Sequence, residues 1–112
     1  MTEDQFRTLA LSLPEAVEVE HMCHPDFRVA GKIFATLWPE HGWAMVKLTR
    51  EQQEAFVSSE PKVFAPVKGS WGRNGCTSVN LKAAKKGSLR TALVLAWRER
   101  APKRLVQQLD LE

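Results

Sequence analysis

His24-Pro25-Asp26-Phe27-Arg28-Val29-Ala30-Gly31-Lys32-Ile33-Phe34-Ala35-Thr36-Leu37 is the stretch that decides how this chain folds. Phe27 and Val29 set against Arg28 alternate as a strand with two unlike faces does, and Ile33, Phe34 and Thr36 are strand formers. Between the two runs, Gly31 supplies the positive φ that a tight hairpin demands. The spacing predicts two antiparallel strands meeting at an Ala30-Gly31-Lys32 corner, with cations at Arg28 and Lys32 on either side. The second run, Lys32 to Trp38, is apolar at nearly every position, as in a central strand packed on one face and partly covered on the other.

Working outward, the same period of two extends in both directions. Val17 and Val19 alternate with Glu18 and Glu20, which predicts a strand whose glutamates face water. Pro39-Glu40-His41-Gly42 reads as a turn, and Trp43 to Leu48 resumes a strand with Lys47 pointing outward. Four consecutive strands joined by short turns imply an antiparallel meander. Ahead of it, Thr2 and Gln5 have capping-box spacing, and Phe6, Leu9, Ala10 and Leu13 recur at helical intervals. A first helix over about 2–11 follows, stopped by Pro14, because the residue before proline is pushed out of the helical region.

Beyond the meander, Thr49 and Gln52 form a second capping box, opening a helix to about Ser58 that buries Ala55, Phe56 and Val57. Residues 61–75 show no clear period. Thr77, Val79 and Leu81 alternate with Ser78 and Asn80 as a fifth strand. Gly87-Ser88 then caps a helix whose Leu89, Ala92, Leu93, Ala96 and Trp97 form one stripe, with Arg90 and Arg98 opposite. Ala101-Pro102 interrupts it, and 103–109 add a turn or two. The order α-β-β-β-β-α-β-α describes an α+β, two-layer sandwich: an antiparallel five-stranded sheet with helices on one face and the other face open.

At 112 residues the chain is read as one domain, 1–112, with 44% hydrophobic and 26% charged residues, near the soluble globular average. No run approaches the ~20 apolar residues that span a bilayer, so no membrane partner is expected. Without an apolar leader, and with only Cys23 and Cys76, the chain is expected to be cytoplasmic, with free thiols. The net charge of +3 is unevenly spread: residues 1–60 carry 5 Lys and Arg against 10 Asp and Glu, and 61–112 carry 11 against 3. An anionic partner would dock on the basic half.

Several chemistries find no support. His21, Cys23 and His24 lie close together, but a tetrahedral metal site needs more donors, and only His41 and Cys76 remain, without paired spacing. A hydrogen-bonded His24 that organises the loop before Pro25 is the plainer account. No Gly-rich dinucleotide or Walker-type loop is present, so no nucleotide cofactor, nor any other cofactor or metal, is expected. No serine or cysteine stands in a nucleophile elbow, and no catalytic residues are assigned.

Trp71-Gly72-Arg73-Asn74-Gly75 is harder to set aside. Arg73 offers a planar fork for phosphate, Asn74 a donor for phosphate or a base edge, and Trp71 an aromatic face for unpaired bases. The plainer alternatives are that Trp71 plugs the open end of the sheet and that Arg73 pairs with a carboxylate. Arg28, Lys32 and Lys47 belong to the meander, where a basic hairpin tip can follow a phosphate backbone as wings do. Lysine on strand edges also deters aggregation, which explains Lys47 equally well and Arg28 less well.

Together these segments resemble the MmcQ/YjbR family of small bacterial proteins. The likeness is carried by the first helix ending at Leu13-Pro14, by His24-Pro25 with Phe27-Arg28-Val29, and by Gly31-Lys32-Ile33-Phe34-Ala35. It continues through Val46-Lys47-Leu48, Trp71-Gly72-Arg73, and Ala96-Trp97 with Ala101-Pro102-Lys103. Cys23 stands where a small glycine precedes the His-Pro pair, and Cys76 where an aromatic commonly follows the glycine. The resemblance implies a frataxin/CyaY-like α+β scaffold and a double-wing mode of DNA binding. The expected function is therefore a monomeric, non-enzymatic DNA-binding module of weak sequence preference. Arg28, Lys32, Lys68 and Arg73 would contact phosphates, and Trp71 and Asn74 the base or sugar. Four neutralised phosphates give a slope of log K against log salt of about −3.6. The competing expectation is an adaptor that binds protein or a small ligand on the open sheet face; a weaker third is an enzyme built on His24.

Overall fold

The computed structural model describes residues 1–21 and 24–110, apart from the side chains of His21 and Glu40. In chain order the elements are α1 (Glu3–Leu11), β1 (Val17–His21), β2 (His24–Val29), β3 (Lys32–Trp38), a 3-10 turn (Pro39–His41), β4 (Trp43–Lys47), α2 (Arg50–Ser59), β5 (Phe64–Pro66), α3 (Ser70–Arg73), β6 (Cys76–Asn80), α4 (Lys86–Arg100) and α5 (Lys103–Asp110). The strands form one antiparallel sheet in the order β1-β2-β3-β4-β6-β5.

The meander β1–β4 is as expected from its alternation, but the sheet has six strands rather than five. The additional strand, β5, is three residues long and ends at Pro66. A piece so short shows no period of two, and its proline confines it to an edge, where only β6 pairs with it. The stretch expected to be irregular therefore holds both β5 and the single-turn helix α3.

Register sorts the sheet into two faces. Phe27, Ala35, Val46 and Thr77 lie in one row, and Leu37, Ala44, Val79 and Phe64 in the next, all on the helix-bearing face. α4 covers β3 and β4, α1 brings Phe6 edge-on to Phe27 at 5.6 Å, and α2 brings Phe56 to Phe64 at 4.9 Å. Trp97 is fully buried, and its indole N–H donates to the carbonyl of Pro14 at 3.1 Å, so the largest core side chain keeps its polar atom satisfied.

The hairpin turns on Ala30 and Gly31, both with positive φ (51° and 77°), as a two-residue primed turn requires. Pairing then slips between Phe27 and Arg28, leaving Phe34 as an extra residue on β3. That bulge turns Phe34 and Ala35 inward together; Leu37 follows on the same face, while Thr36 is buried on the other face in register with Asp26 and Met45.

Both capping boxes form as spaced: Gln5 N–H to the Thr2 hydroxyl at 3.1 Å, and Gln52 N–H to the Thr49 hydroxyl at 3.1 Å. Three finer expectations need correction. In β1 Glu18 and Glu20 are exposed as expected, but Val17 is exposed as well, on the helix-free face, and Glu18 lies opposite Phe27 on the helix side, where the Nε of Arg7 reaches it at 3.0 Å. The partner on α1 makes that side tolerable for a carboxylate at an edge strand. In α2 the buried residue is Gln53 and Ala55 is exposed. α4 starts at Lys86 with no side-chain cap, its position fixed by packing of the stripe rather than by Gly87-Ser88.

Candidate nucleic-acid interface

Antiparallel pairing brings one set of strand ends together. The Ala30-Gly31 turn, Lys47 at the end of β4, Cys76 at the start of β6 and Pro66 at the end of β5 all lie at the same end of the sheet. α3 follows β5 there, and α4 runs toward it, arriving with Arg100. Lys47, Ser70, Trp71, Asn74, Cys76 and Arg100 line a cleft of about 390 Å³. Lys32, Lys68 and Arg73 are exposed around the same end.

The cations differ in how free they are. Arg28 is held by Asp26, which is only 2% exposed: Nε to Oδ1 is 2.8 Å and Nη2 to Oδ2 is 3.1 Å. That hydrogen-bonded carboxylate raises the guanidinium pKa and occupies the fork a phosphate would use. By contrast, no acidic side chain among the described residues pairs with Lys32, Lys47, Lys68, Arg73 or Arg100. The Nζ of Lys47 lies 5.8 Å from the centroid of the Trp71 ring. Arg73 points outward while its backbone carbonyl accepts from Nη1 of Arg50 at 2.9 Å.

Trp71 does not plug the sheet; it is 63% exposed. Its mount is nonetheless tightly built. A Cβ on Gly72 would sit 1.7 Å from the Val67 carbonyl oxygen, and one on Gly75 (φ 99°) would sit 1.9 Å from that of Leu48. Nε2 of Gln53 donates to the carbonyls of Gly72 and Cys76 at 3.0 and 3.1 Å, and the Thr77 hydroxyl donates to Gly75 at 2.9 Å. Asn74 closes α3, its backbone N–H reaching Ser70 and Trp71, and its side chain stays exposed.

Gln53, Arg100, Ser70 and Cys76 are parts of this site that the sequence does not mark as site residues. Gln53 lies in a polar run with nothing to mark it as buried. Arg100 had a signal: it is three residues past Trp97 and so continues the buried stripe of α4. Cys76 forms the cleft floor as a buried free thiol, its pKa pushed up by desolvation against the pull of Lys47 and Arg100.

Elsewhere, the rings of His24 and Trp38 meet at 5.1 Å on the open face, tilted by 37°, and Trp38, His41, Trp43 and Val67 line a second cleft of about 420 Å³. Among the described residues no group of His, Cys, Asp or Glu is placed to hold a metal ion; Cys23, read as a free thiol, and the His21 side chain lie outside them. No helix among the described residues is long and apolar enough to cross a membrane.

A family model described as YjbR matches residues 11–99, which include every residue of the cleft described above except Arg100. Among solved structures, the Deinococcus radiodurans protein DR2400, with a DUF419 domain, is similar at a TM-score of 0.74 and 18% identity. The match covers 99% of this chain and 89% of that one, and at such identity it shows the fold alone. No curated protein matches the sequence.

Proposed function

We propose that this chain, which belongs to the YjbR family, is a monomeric, cytoplasmic, non-enzymatic DNA-binding module on a frataxin-like scaffold. The observation that carries the reading is the set of cations without acidic partners among the described residues, Lys32, Lys47, Lys68, Arg73 and Arg100, gathered at one end of a rigid sheet around an exposed tryptophan. The β2–β3 hairpin and the α3 segment act as two wings, with phosphates held by the cations and Asn74 supplying a donor to base or sugar. Arg28 contributes less than its exposure in the sequence pattern suggests, because Asp26 already holds it. Affinity is mainly electrostatic and sequence preference weak.

A titration of fluorescent duplex DNA at several salt concentrations tests this. Neutralising four or five phosphates gives a slope of about −3.6 to −4.5. Lys32→Ala with Arg73→Ala should weaken binding to all sequences alike and flatten the slope by about 2. Lys82→Ala with Lys86→Ala is the control: α4 rises about 1.5 Å per residue, so its Lys86 end lies about 20 Å from Arg100. Equal loss from both pairs, or no binding, removes the reading.

One observation favours the adaptor alternative. Trp43 is 42% exposed on the helix-free face and lines the cleft with Trp38 and His41, and Val17 is 53% exposed at the opposite corner of that face. On that reading Trp43→Ser abolishes capture of a protein or small-molecule partner and leaves DNA affinity unchanged.

A further inference from the structure

We infer that the Trp71 cleft takes one unpaired nucleotide, its base stacked on the indole and its phosphate between Lys47 and Arg100, so that the preferred partner is single-stranded. The inference rests on the DNA-binding reading and narrows it. Three features of the cleft point to this ligand.

The first is an aromatic ring held ready in water. Trp71 is 63% exposed, yet the backbone under it is packed too closely for any side chain at Gly72 or Gly75 and is tied down by the Gln53 amide. Burial does not account for an exposed indole on such a mount, whereas a stacking platform needs both exposure and rigidity. Lys47 approaches the ring at 5.8 Å and leaves most of its surface open.

The second is charge placement. Lys47 and Arg100 come from β4 and from the end of α4, and neither is paired with an acid among the described residues. They line the same cleft as the ring, Lys47 at 5.8 Å from it, with Ser70 and Asn74 as further donors. A planar aromatic face with cations beside it matches one nucleotide unit.

The third is size. At about 390 Å³ the cleft is at the lower end of small-ligand sites, which run from about 300 to 1,000 Å³. One base with its phosphate fits that scale. A base inside a duplex presents no free face, and withdrawing it costs stacking and pairing energy that a strand already unpaired does not lose.

A nucleotide can come from a strand or from free solution, and the test separates these sources. Anisotropy is measured with a labelled dT15 single strand, with a blunt duplex of equal length, and with AMP as competitor, on the full chain and on Trp71→Ala and Trp71→Phe. Trp71 is exposed, so both variants should keep the wild-type melting temperature. The expected result is single-strand affinity at least about tenfold above duplex, lost by about tenfold in Trp71→Ala, mostly kept in Trp71→Phe, with duplex binding changed less than about threefold. Failure of AMP to compete assigns the site to a strand; AMP binding that depends on Trp71, without strand binding, assigns it to a free nucleotide and overturns the single-strand preference. Equal affinity for strand and duplex, equally lowered in Trp71→Ala, overturns the inference and leaves the DNA-binding reading standing. No binding to either nucleic acid removes both.

Discussion

The β2–β3 hairpin and the α3 region, proposed above as two wings, each have a strand cation on the open face near the same end of the sheet, Arg28 on β2 and Lys47 on β4 beside α3, and the two cations differ in availability. Arg28 has Asp26 two residues before it, on the same face of β2, and the carboxylate holds the guanidinium at 2.8 and 3.1 Å. Lys47 has Met45 in the corresponding place and no acid among the described residues, so its charge lies free beside Trp71. The residue two positions away along a strand therefore decides whether an outward cation is a structural tie or an available charge. On the DNA-binding reading proposed above, the α3 region would be the stronger anion-binding half.

Glycine substitutions should break the comparison most strongly. Gly75→Ala meets the Leu48 carbonyl at 1.9 Å with φ at 99°, so the backbone must move; a loss of more than about 4 kcal/mol in urea unfolding is expected. Gly31→Ala in the hairpin meets nothing within 4 Å, and only its φ of 77° is strained. Its cost should be about 1–2 kcal/mol. Similar losses at the two sites would mean that the α3 mount is no more rigid than the hairpin.

Next in size is Gln53→Leu. One amide nitrogen serves the carbonyls of Gly72 and Cys76, and the leucine leaves both without that donor. A loss of about 2 kcal/mol is expected, with α3 amide exchange accelerated more than that of the hairpin. Uniform acceleration would show that Gln53 supports the core rather than the wing.

Asp26→Asn is the direct exchange between the two wings. It releases Arg28 to behave as Lys47 does, and the salt slope for DNA should steepen by about 0.9 while thermal stability falls. Arg28→Ala should leave the slope nearly unchanged, whereas Lys47→Ala should flatten it by about 0.9. The opposite ranking would return the main role to the hairpin.

What could be read from the sequence follows how local the cause is. The hairpin at Ala30-Gly31 and the boxes at Thr2 and Thr49 are each settled within about four residues, and the chain shows them openly. β5 was hidden because three residues ending in proline carry no periodicity, and α3 because a segment holding two glycines reads as a loop. The Val17 face was misjudged because Glu18 finds its partner on another element, Arg7 of α1. Gln53 was invisible for the same reason: its partners are 19 and 23 residues away. Lys32 and Arg73 are exposed as their turn and loop settings imply, whereas the exposure of Trp71 does not follow from a sequence that reads equally well as a plug for the sheet; which cations stay free is half legible, since Asp26 stands in plain view beside Arg28.

The smallest expected effect concerns Cys76 beneath Lys47. Burial raises its thiol pKa above the ordinary value of 9.0, and Lys47 and Arg100 act in the opposite direction. With a raised folded pKa, the folded chain keeps its proton where the unfolded chain loses it. The favourable contribution is therefore complete below about pH 9 and is lost as pH rises through the folded value. Urea unfolding at pH 8 and pH 10.5 should show a slightly steeper alkaline loss for the wild type than for Cys76→Ala. In a Lys47→Ala background the difference should widen, because one of the two opposing cations is gone. A wild type and Cys76→Ala that decline in parallel would mean that the thiol at the cleft floor is as solvated as an unfolded one, and that the α3 wing is looser than its glycines and Gln53 make it.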